Sequence, residues 1–217
     1  MGYRRMKKHD LWEIYRRWQA RQAISHIAAG EQRDRKTIRL YSERFAELGL
    51  FGIPFAEELG GQGGDLLSFC LCLEEIGRYD SSLAITLEAA VGLAANPIFR
   101  FGTDEQRERW LVPMARGEAI GAFALTEPGG GSDARAIRTT ARLDGGEWVI
   151  DGSKAFITNS GTPLTSVILV AARDEDADDG DVSTIVVPVG TQGLSIGPSY
   201  RKVGWRASDT HEVSFDG

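Results

Sequence analysis

The stretch Phe123-Ala-Leu-Thr-Glu-Pro-Gly-Gly-Gly-Ser-Asp-Ala-Arg-Ala-Ile-Arg-Thr-Thr-Ala-Arg-Leu143 decides the fold. It begins as an apolar strand and runs into a Pro-Gly-Gly-Gly loop, with the hydroxyls of Thr126 and Ser132 on either side. Consecutive glycines permit dihedrals and close approaches that side chains forbid. Backbone N–H groups in such a loop can face an anion or the polar edge of a ring. Gly129-x-Gly131-x-x-Ala134 also fits the loose dinucleotide fingerprint, and Asp151 stands 20 residues beyond Gly131. That fingerprint requires a helix behind the glycines. Here Ile137, Thr139, Ala141 and Leu143 alternate with polar partners and stop at Asp144-Gly-Gly146, which is strand patterning followed by a turn. A Rossmann nicotinamide site is therefore rejected. The segment reads either as a site for a cofactor phosphate or heterocycle, or as a plain glycine-rich link between strands.

Toward the C-terminus the period stays at two. Ala119–Leu125, Glu147–Ile150, Lys154–Thr158, Val167–Ala171, Thr184–Val189, Leu194–Ile196 and Glu212–Phe215 read as short strands. Asp151-Gly152, between two of them, is a hairpin signal of type I′ chemistry. Toward the N-terminus the period is helical. Ile38, Leu40, Tyr41, Phe45 and Leu48 recur at helical intervals and stop at Gly49. Leu66–Tyr79 reads as a second apolar helix. Asp80 or Ser81 caps a third, which runs through Leu83, Ile85, Leu87 and Val91 and ends at Asn96-Pro97. Thr103-Asp-Glu-Gln106 is a capping box for a fourth over 104–116, with Pro113 in its last turn. The expected class is α+β: an all-α N-terminal helical domain over 1–117, divergent over 1–40, then an antiparallel β-barrel or sandwich domain over 118–217.

The 217 residues carry 31 acidic and 25 basic side chains, a formal charge of −6, with 42% hydrophobic content. That composition excludes a disordered chain, a collagen-like repeat and a disulfide scaffold. No apolar run approaches the ~20 residues of a membrane helix. Charge is uneven: residues 1–50 hold 12 basic and 6 acidic groups. Trp12, Ile14, Tyr15 and Trp18 at roughly helical spacing point to an amphipathic helix with a basic face, and the Arg-rich start also suits a mitochondrial transit peptide. Cys70 and Cys72 read as buried core thiols in a reducing compartment.

A second cluster is Lys154-Ala-Phe-Ile-Thr-Asn-Ser-Gly161. Phe156 and Thr158 share a strand face, so a flat aromatic stands beside a hydroxyl. That suits a planar ligand, although core packing explains an isolated case equally. Asp174-Glu-Asp-Ala-Asp-Asp-Gly-Asp181 fails as a calcium loop, because its glycine falls at position 7 and position 12 is Ile185. His9, His26 and His211 make no metal-ligand spacing, and basic residues are not interleaved with aromatics as on a nucleic-acid surface.

Taken in order, these clusters resemble the acyl-CoA dehydrogenase family. The resemblance runs from Phe45-Ala-Glu-Leu-Gly-Leu-Phe-Gly-Ile53 through Glu58-Leu-Gly-Gly61, Leu73-Glu-Glu-Ile-Gly77 and Phe101-Gly-Thr-Asp-Glu-Gln106. Most specific are Ala124-Leu-Thr-Glu-Pro-Gly-Gly-Gly-Ser-Asp133, Gly152-Ser-Lys-Ala-Phe-Ile-Thr-Asn159 and Lys202-Val-Gly-Trp-Arg-Ala-Ser-Asp209. The resemblance implies FAD as cofactor. It places Phe123, Leu125, Thr126, Gly131 and Ser132 along the flavin edge and pyrophosphate, Ser132 also beside the substrate's pantetheine arm, and Phe156, Ile157 and Thr158 against the flavin ring. It makes Arg206 a buried cation near the active centre.

The implied chemistry is α,β-dehydrogenation of an acyl-CoA thioester, with a glutamate base in a C-terminal helical domain. Glu127 reads as a loop residue rather than that base. The chain stops at Gly217, and a partial chain of this kind is expected not to dehydrogenate acyl-CoA by itself. A non-catalytic scaffold and part of a flavin monooxygenase on the same fold are the alternatives. The resemblance further implies an electron-transferring flavoprotein as partner and homo-oligomers, commonly tetramers. It implies no nucleic acid, no membrane, and a cytoplasmic location or the mitochondrial matrix.

Overall fold

In the computed structural model, residues 43–177 and 181–217 are described. The amphipathic segment around Trp12, the pattern from Ile38 to Tyr41, His9 and His26 lie outside them. A short helix over 43–47 carries Phe45 into the core, and the chain turns at Gly49 in the left-handed region (φ 69°).

Three longer helices follow. Helix α1 spans Leu66–Gly77, and the Asp65 side chain caps it by accepting from the Ser68 N–H at 2.8 Å. Replacing Asp65 with alanine is expected to cost about 1 kcal/mol, read as a lower urea midpoint with unchanged slope. Cys72 faces the core from α1, and burial pushes its thiol up to about 12. Cys70 is exposed, which corrects the expectation that both thiols are buried.

Helix α2 runs over Ser81–Phe101, straight through Pro97. Proline was expected to end it. Instead the preceding turn, Ala89–Ala95, is widened, and the Asn96 N–H reaches the Val91 carbonyl five residues back. Helix α3 repeats the device. It runs through Asp104–Gln106, Arg107–Leu111 and Val112–Ala115, and the Val112 N–H reaches Arg107 just before Pro113. A proline ring presses on the carbonyl four residues back, and a wide turn ahead of it relieves that contact. The predicted capping box of Thr103 and Gln106 is present at the start of α3.

By length and composition alone the 21 residues of α2 could cross a membrane, contrary to the expectation that no such run exists. In the fold α2 is a core helix, with Leu83, Leu87, Ala90, Val91, Ala94, Ala95 and Ile98 buried among α1, α3 and the sheet.

Among the described residues seven strands form one curled sheet: β1 Ile120–Ala124, β2 Thr140–Asp144, β3 Glu147–Thr158, β4 Thr165–Asp174, β5 Val182–Pro188, β6 Leu194–Ile196 and β7 Thr210–Asp216. Their order is β1-β4-β2-β3-β7-β6, with β5 on the other side of β4. The sheet is mixed rather than purely antiparallel, because β4 runs parallel to both β1 and β2. Local alternation predicts strands but not their partners, so pairing over 33 to 46 residues was invisible.

β4 explains why its sequence is apolar without alternation. Val167 and Leu169 join the helical core, while Ile168, Val170 and Ala172 join a second core inside the sheet. A strand covered on both faces reads as a continuous hydrophobic run. The sheet is thus packed directly against α2 through β1 and β4. At their junction Gly121 leaves no room for a side chain, since a Cβ would stand 2.7 Å from the Ala94 methyl.

Two turn signals had opposite outcomes. Gly145 and Gly146 both take positive φ (61° and 92°) and close the β2–β3 hairpin. Asp151-Gly152 makes no turn, and β3 continues through it, because both residues pair onward with Phe215 and Asp216 of β7. Leu143, the last apolar position of the alternating pattern, is exposed at the hairpin end.

Candidate functional site

The site is organised by Lys154, which is fully buried in β3. Its ammonium donates to the Leu125 carbonyl at 3.1 Å and to Glu127 Oε1 at 2.8 Å. Glu127 also accepts from the backbone N–H groups of Arg138 (2.7 Å) and Thr139 (2.9 Å). Burial alone would raise the Glu127 carboxyl, but the hydrogen bonds from Lys154, Thr139 and Arg138 outweigh it and hold the group down at about 2. A carboxylate bound this way is a structural counter-ion with no capacity to take up a substrate proton near neutral pH. Lys154 is itself held below the usual lysine range by burial, with Glu127 opposing the shift.

This pair fixes the glycine loop onto β3. The Ala155 N–H donates to the Thr126 carbonyl at 2.7 Å, and Glu127 and Gly130 exchange backbone hydrogen bonds across Pro128-Gly129. The three glycines do not adopt positive φ, and a Cβ on Gly129 would meet nothing within 4 Å. The protein's own atoms therefore leave the loop face open. Gly131 lies against Thr126, 3.2 Å from its methyl to a notional Cβ. Behind Ser132 there is one 3-10 turn, Ala134–Ala136, and then β2, so the rejection of a Rossmann helix stands.

β3 carries a bulge between Lys154 and Ile157, and this re-aims the second cluster. Phe156 takes φ 61° and is 63% exposed, stacked on Tyr200 with ring centroids 5.0 Å apart at 29°. Ile157 turns the other way into the sheet core. Thr158 pairs with Thr210 of β7, and Asn159 (φ 65°) donates its side-chain Nδ2 to the Thr86 carbonyl on α2.

The third cluster closes against the same place. Lys202 donates to Ser208 O (2.7 Å) and Thr210 Oγ1 (2.5 Å). Burial holds Lys202 below the usual lysine range, and Asp209 opposes that shift. Trp205 (φ 52°) donates its indole N–H to Ser81 Oγ at the start of α2, 3.0 Å away. Arg206, expected as a buried cation, is exposed, and its Nε bonds the Lys202 carbonyl. The buried cation of the site is Lys154.

Hydrogen bonds thus tie the start of the glycine loop to Lys154 and Ala155 of β3, and ring stacking ties Phe156 to Tyr200, two residues before Lys202. Of the candidate residues, Ser132 and Phe156 are exposed, and Leu125, Thr126, Gly131 and Thr158 are half-buried. The Phe123 side chain packs instead against the helical core. The hydroxyls of Thr126, Ser132 and Thr158 make no hydrogen bond among the described residues. Those hydroxyls, an uncrowded glycine loop and an exposed Phe156 backed by half-buried Tyr200 fit a planar, polar-edged ligand such as a flavin. Among the described residues the positive-φ non-glycine residues are Phe156, Asn159 and Trp205, all within the second and third sequence clusters. Backbone conformations of that kind cost ~1–3 kcal/mol each and cluster at functional sites.

Sequence reasoning missed Lys154, Tyr200 and Glu88. Glu88 is a half-buried carboxyl on α2, pushed up by burial, and its side chain lies against Gly92. The available signal was a lone carboxylate inside an otherwise apolar run.

Comparison with known proteins identifies the family. The family model for the acyl-CoA dehydrogenase N-terminal domain matches residues 7–118, and that for the middle domain matches 122–217. A short-chain-specific acyl-CoA dehydrogenase of Clostridium acetobutylicum is 42% identical over 174 residues, covering 80% of this chain and 46% of the relative. A solved structure described as the electron transferring flavoprotein of Acidaminococcus fermentans superposes with TM-score 0.76 at 41% identity, over 84% of this chain and 47% of that one. An acyl-CoA dehydrogenase from Bacillus anthracis complexed with FAD gives TM-score 0.74 at 35% identity, over 96% and 32%. The chain spans about half the length of the curated relatives it matches.

Proposed function

Because the chain belongs to the acyl-CoA dehydrogenase family, we propose that its β-sheet builds one wall of an FAD site in a protein that α,β-dehydrogenates acyl-CoA thioesters. The observation that supports this reading is the joining of 125–127 to 154–155 by hydrogen bonds and of Phe156 to Tyr200 by stacking, with the hydroxyls of Thr126, Ser132 and Thr158 unpartnered among the described residues. The FAD complex of the Bacillus anthracis relative supports the cofactor. We divide the chain into a helical domain over 1–117 and a β-domain over 118–217, supported by the two family models meeting between 118 and 122.

A bound flavin would supply a hydride acceptor for the β-carbon of the acyl group. The chain's own residues would orient it. The Phe156–Tyr200 pair supplies a flat apolar face, and Thr126 and Thr158 offer hydroxyls to its polar edge. Ser132, exposed at the loop end, is placed for the pyrophosphate and the pantetheine arm. Glu127 takes no proton in this scheme, since Lys154 and two backbone N–H groups occupy it. By family resemblance the base lies in a C-terminal helical domain, beyond both matched domains. An electron-transferring flavoprotein as electron acceptor, a homo-oligomer and a cytoplasmic or mitochondrial-matrix location complete the proposal.

Equilibrium dialysis of the chain against FAD tests it. Binding is expected, and Phe156→Ala should weaken it about tenfold, the loss of one stacked aromatic contact. Anaerobic butyryl-CoA should leave the bound flavin unbleached. Equal binding by Phe156→Ala would remove the aromatic wall from the scheme, and bleaching would show that the chain supplies its own base.

A further inference from the structure

Asp209 and His211 take no part in the scheme above, yet they are 5% and 1% exposed. Asp209 gathers three groups. Its Oδ2 accepts from the Gly161 N–H at 2.9 Å, its Oδ1 faces His211 Nε2 at 2.7 Å, and its backbone oxygen accepts from the Asn159 N–H at 3.0 Å. His211 Nδ1 lies 2.7 Å from the Gly197 carbonyl oxygen. A carbonyl oxygen only accepts, so Nδ1 carries a proton and donates it. The imidazole is packed flat on Gly161, where a Cβ would stand 2.2 Å from Nε2.

These contacts reach both halves of the aromatic pair. On one side His211 pairs with Ile157 in the sheet, and Asp209 holds the 159–161 turn that follows Thr158. On the other side His211 holds Gly197, and the Tyr200 N–H donates to the Thr210 carbonyl between the two residues. Phe156 is strained (φ 61°) and largely solvent-facing, so its own packing does little to fix it. Two chain segments, 156–161 and 197–200, are thus joined through one buried carboxylate and one buried imidazole.

We infer that Asp209 and His211 are positioning residues that set the Phe156–Tyr200 ring pair for a planar ligand. The inference rests on the FAD reading only for the identity of that ligand. His211→Asn keeps a donor toward Gly197 and removes the ring nitrogen that faces Asp209, and Asp209→Asn removes the carboxylate. Both are compared with Ile185→Val, a buried change on β5, a strand paired with β4 rather than with β3 or β7. Two readouts are taken on the full chain: ring-to-ring nuclear Overhauser effects between Phe156 and Tyr200 without ligand, and FAD affinity.

Loss of the Phe156–Tyr200 cross-peaks in both clasp variants but not in Ile185→Val, together with about tenfold weaker FAD binding, is the expected result. Cross-peaks lost in a chain whose wild type binds no FAD would support the clasp and overturn the flavin reading alone. Intact cross-peaks in both clasp variants would overturn the inference. So would lost cross-peaks with unchanged FAD affinity, since the ring pair would then not be set for that ligand.

Discussion

Replacing Lys154 with methionine is expected to cost about 3–5 kcal/mol of folding free energy, the range for removing one member of a buried ion pair. Lys154 is fully buried, and its ammonium holds both Glu127 and the Leu125 carbonyl. Methionine fills the space but leaves Glu127 charged, 7% exposed and bound only by backbone N–H groups. Adding Glu127→Gln should recover part of the loss, because the residual amide carries no charge to desolvate. Urea unfolding followed by circular dichroism measures both, and a Lys154→Met protein within about 1 kcal/mol of wild type would refute the structural role of the pair.

The same pair sets an acid limit. The folded Glu127 carboxyl sits at about 2, below its ordinary value of 4.5. A depressed carboxyl stabilises the fold fully above its unfolded value, and that stabilisation is lost as pH falls from 4.5 toward 2. The difference corresponds to about 3 kcal/mol. Unfolding free energy should therefore drop steeply across that window in the wild type, and Glu127→Gln should flatten the drop.

Gly161→Ala is expected to have the next largest effect. The added methyl would stand 2.2 Å from His211 Nε2 and 2.6 and 2.7 Å from two ring carbons. His211 cannot step aside, since both ring nitrogens are engaged and the residue is 1% exposed. Overpacking of this kind costs about 1–3 kcal/mol, and displacing the ring would add the loss of its hydrogen bonds. Gly129→Ala is the contrast: with nothing within 4 Å and no positive φ, it should leave the melting temperature unchanged. Equal melting temperatures for the two variants would mean that the 161–211 contact is looser than the structure shows.

How far the sequence reached can be argued from particular residues. Thr103 and Gln106 announced their helix start because a capping box is local chemistry between residues three apart. The Asp144-Gly-Gly146 hairpin was legible for the same reason. Asp151-Gly152 carried a similar signal and failed, because pairing with β7, more than 60 residues away, holds those residues extended. Pro97 failed as a stop because the Ala89–Ala95 turn widens to admit it, a conformation that composition does not announce. Arg206 was chosen by its position in a motif, and burial went instead to Lys154, whose partner Glu127 stands 27 residues earlier.

By itself, then, the sequence determined the order of helices before strands, the caps and glycine turns, and the motifs whose resemblance marks the family, since each depends on residues near one another along the chain. The tertiary structure alone decided the parallel pairing of β1 and β2 with β4, the burial of Lys154 against Glu127, and the left-handed Phe156 stacked on Tyr200. Those features arise where distant segments compete for the same space, and which backbone group or charge is left without water there depends on the whole fold.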